Sequence, residues 1–122
     1  MIELVRVEAI AGEMFGVLRV KDKIVALTQE HLFEALPLGR YVCCRRVASF
    51  CGGTFAVLAE FGGKEVPFLP VGSAAARAGD ILVVPFGGAL SKGGVQRTFE
   101  RFMDTLSGCN EVSLSILDNV GT

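Results

Sequence analysis

The 122-residue sequence contains no tryptophan, one tyrosine and one histidine, and it has no long apolar run. No apolar stretch approaches the roughly 18 residues of a membrane-spanning helix, so we expect no membrane partner. Neither sign of charge is in clear excess, since 12 Lys and Arg residues oppose 13 Asp and Glu residues and give a formal net charge of -1. This balance removes the whole-chain attraction to nucleic acids and anionic membranes, and we expect no nucleic-acid partner.

Apolar residues are abundant instead. They make up 51% of the chain and charged residues 20%, which excludes an intrinsically disordered chain and predicts one folded domain over residues 1–122. A domain of this size exposes much of its surface, so the apolar excess predicts a homo-oligomer or contact with another protein. Glu3 and Arg6 place charge where a signal peptide is apolar, and we expect a cytoplasmic protein.

The 15 glycines predict many tight turns between short strands rather than a helical bundle. The clearest hairpin has the charged residues Lys21, Asp22 and Lys23 at its tip. Pro37 ends a segment that we predict to be a loop, residues 29–38, and Pro67 restricts its own strand to an edge or a strand start. Runs typical of strands cover residues 2–8, 14–20, 24–28, 40–47, 54–61, 65–69, 80–86 and 111–117.

One helix is predicted, from an N-cap at Ser91 to about Leu106, with Gly108 as its C-terminal stop. Its apolar stripe at helical spacing consists of Val95, Phe99, Phe102, Met103 and Leu106. The run of residues 81–84 is apolar on both faces, which predicts a strand in the middle of the sheet. We therefore predict an α+β fold: a small, mostly antiparallel β-barrel or highly curved sheet of about seven to nine strands, with one C-terminal helix followed by a final strand.

The four cysteines, Cys43, Cys44, Cys51 and Cys109, match neither a paired CxxC zinc site nor a redox CxxC motif. Adjacent strand residues point to opposite faces, so Cys43 and Cys44 cannot hold one ion together. We interpret all four as reduced thiols that pack as small apolar groups. No metal site and no cofactor are predicted.

A few residues are candidates for catalysis. His31 lies beside Glu30 and near Glu34, and carboxylates that orient an imidazole are typical of a general base. Cys109 with His31 is the candidate nucleophile and base, and Asp80 with Glu30 is a candidate carboxylate pair. Either pair would indicate an enzyme of hydrolase or transferase type with a pocket at the barrel mouth.

A glycine-bearing loop before the predicted helix is a candidate anion site. Its residues are Gly87, Gly88, Ser91 and Lys92, which place backbone N–H groups and one cation near a helix N-terminus. The Walker pattern is absent, because Lys92 precedes Gly93 and Gly94 instead of following a second glycine. Small-anion binding is therefore one alternative function, and a flexible connection before the helix is the other interpretation.

The segment Pro37-Leu38-Gly39-Arg40-Tyr41, with the later Arg45, Ser49 and Phe55-Ala56-Val57, resembles a family of small proteins of unknown function from bacterial, phage and prophage genomes. That family has a P-x-G-x-Y strand, an H-x-G-N motif and a G-C-I-L-V segment, and the last two are distantly similar to the histidine and cysteine pattern of L,D-transpeptidases. In this chain the corresponding segment Pro70-Val71-Gly72-Ser73 lacks the His, and Asp80 stands where the family has Cys. Since Asp80 offers no thiol, acyl transfer of that type is not implied.

The predicted function is a non-catalytic binding or assembly module, and the resemblance implies a prophage origin. Such a module would self-associate or dock another protein through apolar surface or an exposed strand edge. The enzyme and the small-anion site described above are the alternatives.

Overall fold

The computed structural model describes residues 1–47, 53–58, 64–86 and 90–119. Within these ranges eight strands and one helix follow one another along the chain. They are β1 (Ile2–Ile10), β2 (Glu13–Val20), β3 (Lys23–His31), β4 (Gly39–Arg46), β5 (Thr54–Leu58), β6 (Glu65–Pro70), β7 (Ile81–Val84), α1 (Lys92–Thr105) and β8 (Glu111–Asp118). Cys51, Gly87, Gly88 and residues 59–61 of the predicted strand 54–61 lie outside the described residues.

The eight strands close into a barrel in the order β1-β2-β3-β7-β6-β5-β4-β8. Two neighbouring pairs are parallel, β1 with β8 and β6 with β7, and the other six are antiparallel. This confirms the predicted α+β barrel with its helix and final strand. The helix in the described part of the chain is too short and too polar to cross a membrane.

Tight turns of one type join the first three strands. Ala11 and Gly12 link β1 to β2, and Lys21 and Asp22 link β2 to β3, all four with positive φ between 51° and 82°. Two consecutive residues with positive φ form the turn whose twist matches antiparallel strands. The predicted charged tip is therefore confirmed as a two-residue turn, and Lys23 already belongs to β3.

Alternation along the strands separates an apolar interior from the outer face. The interior holds Leu4, Leu18, Phe55, Phe68 and Ile116, among others, all essentially inaccessible to solvent. Each buried residue of this kind contributes about 1.5–3 kcal/mol from apolar burial. The core is therefore the enclosed interior of the barrel.

Helix α1 plugs one end of the barrel, which we call the helix end. Ser91 caps it as predicted, with its hydroxyl accepting the Gly94 N–H at 3.0 Å. Phe99 and Phe102 are buried, and the Phe102 ring lies 5.1 Å from that of Phe68 in β6. The predicted apolar stripe thus seals the core.

Two local predictions need correction. Residues 29–31 belong to β3 and not to a loop, because β2 continues to pair with them as far as Glu13 opposite His31. Pro67 lies inside β6 of a closed barrel, which has no edge. β6 pairs with β7 only from Phe68 onward, so Pro67 precedes that ladder and its missing N–H is tolerated there.

Candidate functional site

A buried ion pair occupies the barrel end opposite the helix. The Arg6 guanidinium donates to both carboxylate oxygens of Glu30, Nε to Oε2 at 3.1 Å and Nη2 to Oε1 at 2.8 Å. Arg6 is 7% exposed and Glu30 is 1% exposed. Because both Glu30 oxygens are occupied by a cation in a closed interior, the geometry assigns this pair a structural role rather than access to a substrate.

Beside this pair, Thr28 is enclosed without a partner for its hydroxyl. The side-chain oxygen of Thr28 has no hydrogen-bond partner among the described residues, and the residue is fully buried. Gly16 lies opposite Thr28 in the β2–β3 ladder. A Cβ at Gly16 would stand 2.8 Å from the Thr28 hydroxyl and 2.7 Å from the Val5 carbonyl, so only glycine fits there.

The carboxylate pair considered from the sequence is split between the two faces of the barrel wall. Glu30 points inward with Arg6, whereas Asp80 immediately precedes β7, in which Ile81 and Val83 are the inward residues. Alternation therefore directs Asp80 outward. The structure does not bring the two carboxyl groups to one site.

Cys109 and His31 lie toward opposite ends of the barrel. Cys109 follows α1 at the helix end, where its carbonyl accepts the Arg45 Nε at 2.9 Å. His31 is the last residue of β3, at the opposite end of the barrel, and it lies opposite Glu13 in the β2–β3 ladder. Its ring centroid lies 6.4 Å from that of Phe33. This geometry brings no imidazole to the Cys109 thiol.

The other described cysteines differ from each other as their positions predict. Cys43 faces the interior and is fully buried, while Cys44 is partly exposed on the outer face. Burial, with a smaller contribution from Cys44, raises the pKa of the Cys43 thiol to about 12. Cys43 is therefore a neutral apolar group at physiological pH, and no cluster of three or more metal-ligating side chains occurs among the described residues.

Of the anion-site candidates, Ser91 and Lys92 fall within the described ranges. The Ser91 hydroxyl is used by the first turn of its own helix, and Lys92 is exposed at the first helical position. Among the described residues, no second polar side chain is directed with Lys92 toward an anion.

An open groove of about 470 Å³ lies over the outer face of β4, β5 and β6, and Ala75, Arg77 and Asp80 line it from the segment that joins β6 to β7. Its apolar floor includes Ala56 and Leu69, which face away from the core and are nevertheless buried, at 2% and 1% exposure. The remaining lining residues are Arg46, Val47, Thr54, Glu65, Pro67, Ala75, Arg77 and Asp80.

Two of the four charged residues in the groove, Arg46 and Glu65, form a salt bridge with each other. Arg46 donates to both carboxylate oxygens of Glu65, at 2.9 and 3.3 Å, and this contact raises the pKa of the Arg46 guanidinium. Asp80 accepts the backbone N–H of Arg77 at 2.8 Å through one oxygen. Burial raises the pKa of Asp80, while the Arg77 N–H and the Arg77 and Lys64 charges oppose that shift.

A continuous line of apolar side chains crosses the outer face of five neighbouring strands. The ladders place Leu117 beside Val5, Val5 beside Val17, Val17 beside Leu27, and Leu27 beside Val84. We call these five residues the apolar row. Leu27 is 36% exposed and Leu117 is 43% exposed, and the three valines are half-buried.

Sequence reasoning missed both the groove and the apolar row. The one available signal for the apolar row was the presence of valines at outward positions of strands that already had a full set of inward residues, such as Val5 beside Leu4. For the groove there was no signal, because Arg46 and Arg77 are 31 positions apart and meet only through the fold.

These features define a small closed mixed β-barrel with one end plugged by a helix, an apolar outer row and a separate charged groove. No family model, no curated protein and no solved structure matches the chain. The geometry of this fold is therefore the basis for inferring function. The resemblance based on residues 37–41 stays a prediction, and within it Tyr41 donates its hydroxyl to the Pro37 carbonyl at 2.7 Å.

Proposed function

We propose that this protein is a non-catalytic assembly module that self-associates through the apolar row. The observation behind the proposal is the ladder of five outward apolar residues on consecutive strands, which no described element covers. At about 4.8 Å between strands the row is roughly 19 Å long. Because the row follows the curved wall of a closed barrel, its middle residues, around Val5 and Val17, would form the apolar centre of an interface, which in the standard size class buries about 800 Å² on each partner.

Charge at the margin of the row favours a second copy of this chain as the occupant. Glu3 and Arg19 lie opposite each other in the β1–β2 ladder, one strand position away from Val5 and Val17 on the outer face, with their charged groups 4.0 Å apart. A two-fold axis parallel to the strands between β1 and β2 would set Val5 against the second copy's Val17. The same axis would set each Glu3 against the other copy's Arg19, so the surface is complementary to itself.

Light scattering coupled to size exclusion over a wide concentration range tests this proposal. We expect a defined dimer. We expect Val17→Lys to raise the dissociation constant of this dimer by about 30-fold or more, which is the effect of changing a central interface residue. Val42→Lys is the matched control, since Val42 is an outward strand valine, 42% exposed and outside the apolar row. A native protein that stays monomeric at high concentration would refute the proposal.

The charged margin can be tested in the same experiment. Glu3→Arg alone should weaken the dimer because it sets like charges against Arg19 of the other copy. The double variant Glu3→Arg with Arg19→Glu should restore it, since both the intramolecular and the intermolecular pairs are rebuilt. Failure of the double variant to recover would reject the two-fold arrangement described here.

A further inference from the structure

We propose that the outer groove is a binding site for a small zwitterion of the dipeptide type, with its ammonium at Asp80, its carboxylate at Arg77 and apolar side chains on the groove floor. This site is separate from the apolar row. The row is centred on β1, β2 and β3, whereas the groove lies over β4, β5 and β6. The groove therefore stays open in the dimer proposed above.

The volume and lining of the groove fit a ligand of this size. Its volume of about 470 Å³ lies within the range of about 300–1,000 Å³ typical of small-molecule sites. Ala56, Pro67 and Leu69 form an apolar floor flanked by charged groups at the rim. This combination favours a ligand that has both an apolar body and charged ends.

Asp80 provides the acceptor for a cation. It is 9% exposed, faces the groove, and one of its oxygens is already fixed by the Arg77 N–H. A carboxylate that has lost most of its water is stabilised by a charge-assisted hydrogen bond from an ammonium group. Burial raises the pKa of Asp80, which agrees with a carboxylate that lacks a full set of partners in the free protein.

Arg77 provides the donor for an anion. Among the described residues no carboxylate lies within salt-bridge distance of its guanidinium and no side-chain hydrogen bond from it is formed, in contrast to Arg46, which already holds Glu65. Arg77 is exposed beside Asp80 in the same turn. Asp80 and Arg77, the two groove residues that can still form charge-assisted hydrogen bonds, thus have opposite charges. A molecule with one positive and one negative end is complementary to them.

Isothermal titration calorimetry at matched ionic strength tests the site with leucyl-leucine as the probe. We expect binding that falls about tenfold or more with N-acetyl-leucyl-leucine, which lacks the ammonium, and likewise with leucyl-leucine amide, which lacks the carboxylate. Equal binding of the zwitterion and the N-acetyl form would indicate a simple anion site and overturn the proposal. Absence of binding by all three probes would overturn it too.

Variants assign the two ends of the ligand. Asp80→Asn keeps an oxygen that can accept the Arg77 N–H, and it should abolish the preference for the free ammonium. Arg77→Gln should abolish the preference for the free carboxylate. Arg40→Gln is the matched control, because Arg40 is an exposed arginine at the start of β4, outside the groove.

Folding, dimerisation and ligand binding are measured separately, so that loss of binding is not confused with unfolding or with loss of the dimer. Circular dichroism and the melting temperature establish that each variant folds before its titration is interpreted. The Val17→Lys variant, monomeric or dimeric, should bind leucyl-leucine as the native chain does. Loss of binding in that variant would show that the groove depends on the dimer and would contradict the independent site proposed here.

Discussion

At the scale of single residues, the barrel wall contains two buried threonines in opposite situations. The Thr54 hydroxyl donates to the Phe68 carbonyl, whereas the Thr28 hydroxyl has no partner among the described residues. A buried hydroxyl without a partner costs about 1–3 kcal/mol, and a satisfied one contributes about 1 kcal/mol. The same substitution should therefore have opposite effects at the two sites.

We expect Thr28→Val to raise the free energy of unfolding by about 1 kcal/mol or more, because the methyl group fills the same space and needs no partner. Thr54→Val should lower it by about 1 kcal/mol, since the Phe68 carbonyl loses a donor. Urea unfolding of both variants beside the native chain measures the difference. A destabilised Thr28→Val variant would contradict the assignment of Thr28 as unsatisfied.

Residue-scale features also show the limit of reasoning from neighbours in sequence. Glu30 and His31 are adjacent, yet Glu30 is sealed inside with Arg6 while His31 is exposed. Strand geometry alone explains that separation, because successive side chains point to opposite faces. Once residues 29–31 are assigned to β3, the interpretation of Glu30 as an orienting carboxylate for His31 has no geometric support.

At the scale of elements, one arginine joins the helix to the barrel. Arg45 donates from Nε to the Cys109 carbonyl and from Nη2 to the Leu106 carbonyl, both at 2.9 Å. Its guanidinium also lies 4.8 Å from the centre of the Phe55 ring. Because the last carbonyls of a helix lack intrahelical partners, this side chain satisfies the end of α1 and holds it on β4.

We expect Arg45→Lys to lower the free energy of unfolding by about 1.5–3 kcal/mol, because an ammonium group cannot reach two carbonyls with the fixed fork of a guanidinium. Arg46→Lys is the matched control, since Arg46 is the adjacent arginine on the exposed face and donates to Glu65 and to a backbone carbonyl, not to the end of the helix. It should change stability little. Chemical denaturation followed by circular dichroism measures both, and equal effects would show that the helix contact is not specific.

At the scale of the whole molecule, the apolar excess is distributed between a filled interior and an outer surface. The inward-facing apolar residues of the strands fill the interior of the barrel. The apolar row contains some of the apolar residues that face outward. An oligomer that forms only from folded chains stabilises the folded state by mass action. The proposed assembly should therefore be visible in thermal stability.

We expect the melting temperature of the native protein to rise with protein concentration, and we expect that of Val17→Lys to be independent of it over the same range. Differential scanning calorimetry at several concentrations provides the measurement. Val42→Lys should follow the native dependence, because Val42 lies outside the apolar row. A native melting temperature that does not change with concentration would contradict folding linked to assembly.

The local features of this fold follow from the sequence. The helix from Ser91, its apolar stripe and the tip at Lys21 and Asp22 depend on interactions between residues a few positions apart, so their pattern is visible in the linear chain. The same holds for the alternation of the final strand, in which Leu114 and Ile116 are buried as predicted.

Only the tertiary structure decided which of these elements meet. The order of the strands brings Leu117 of the last strand beside Val5 of the first, and it brings Arg77 and Asp80 to the same groove as residues of β5 and β6. The groove and the two ends of the apolar row, Leu117 and Val84, depend on strand pairings across long connections, whereas the Arg6–Glu30 pair depends on the register of two consecutive hairpins. A register shift of one residue exchanges the two faces of a strand, and for strands that are distant in sequence no local pattern fixes the register.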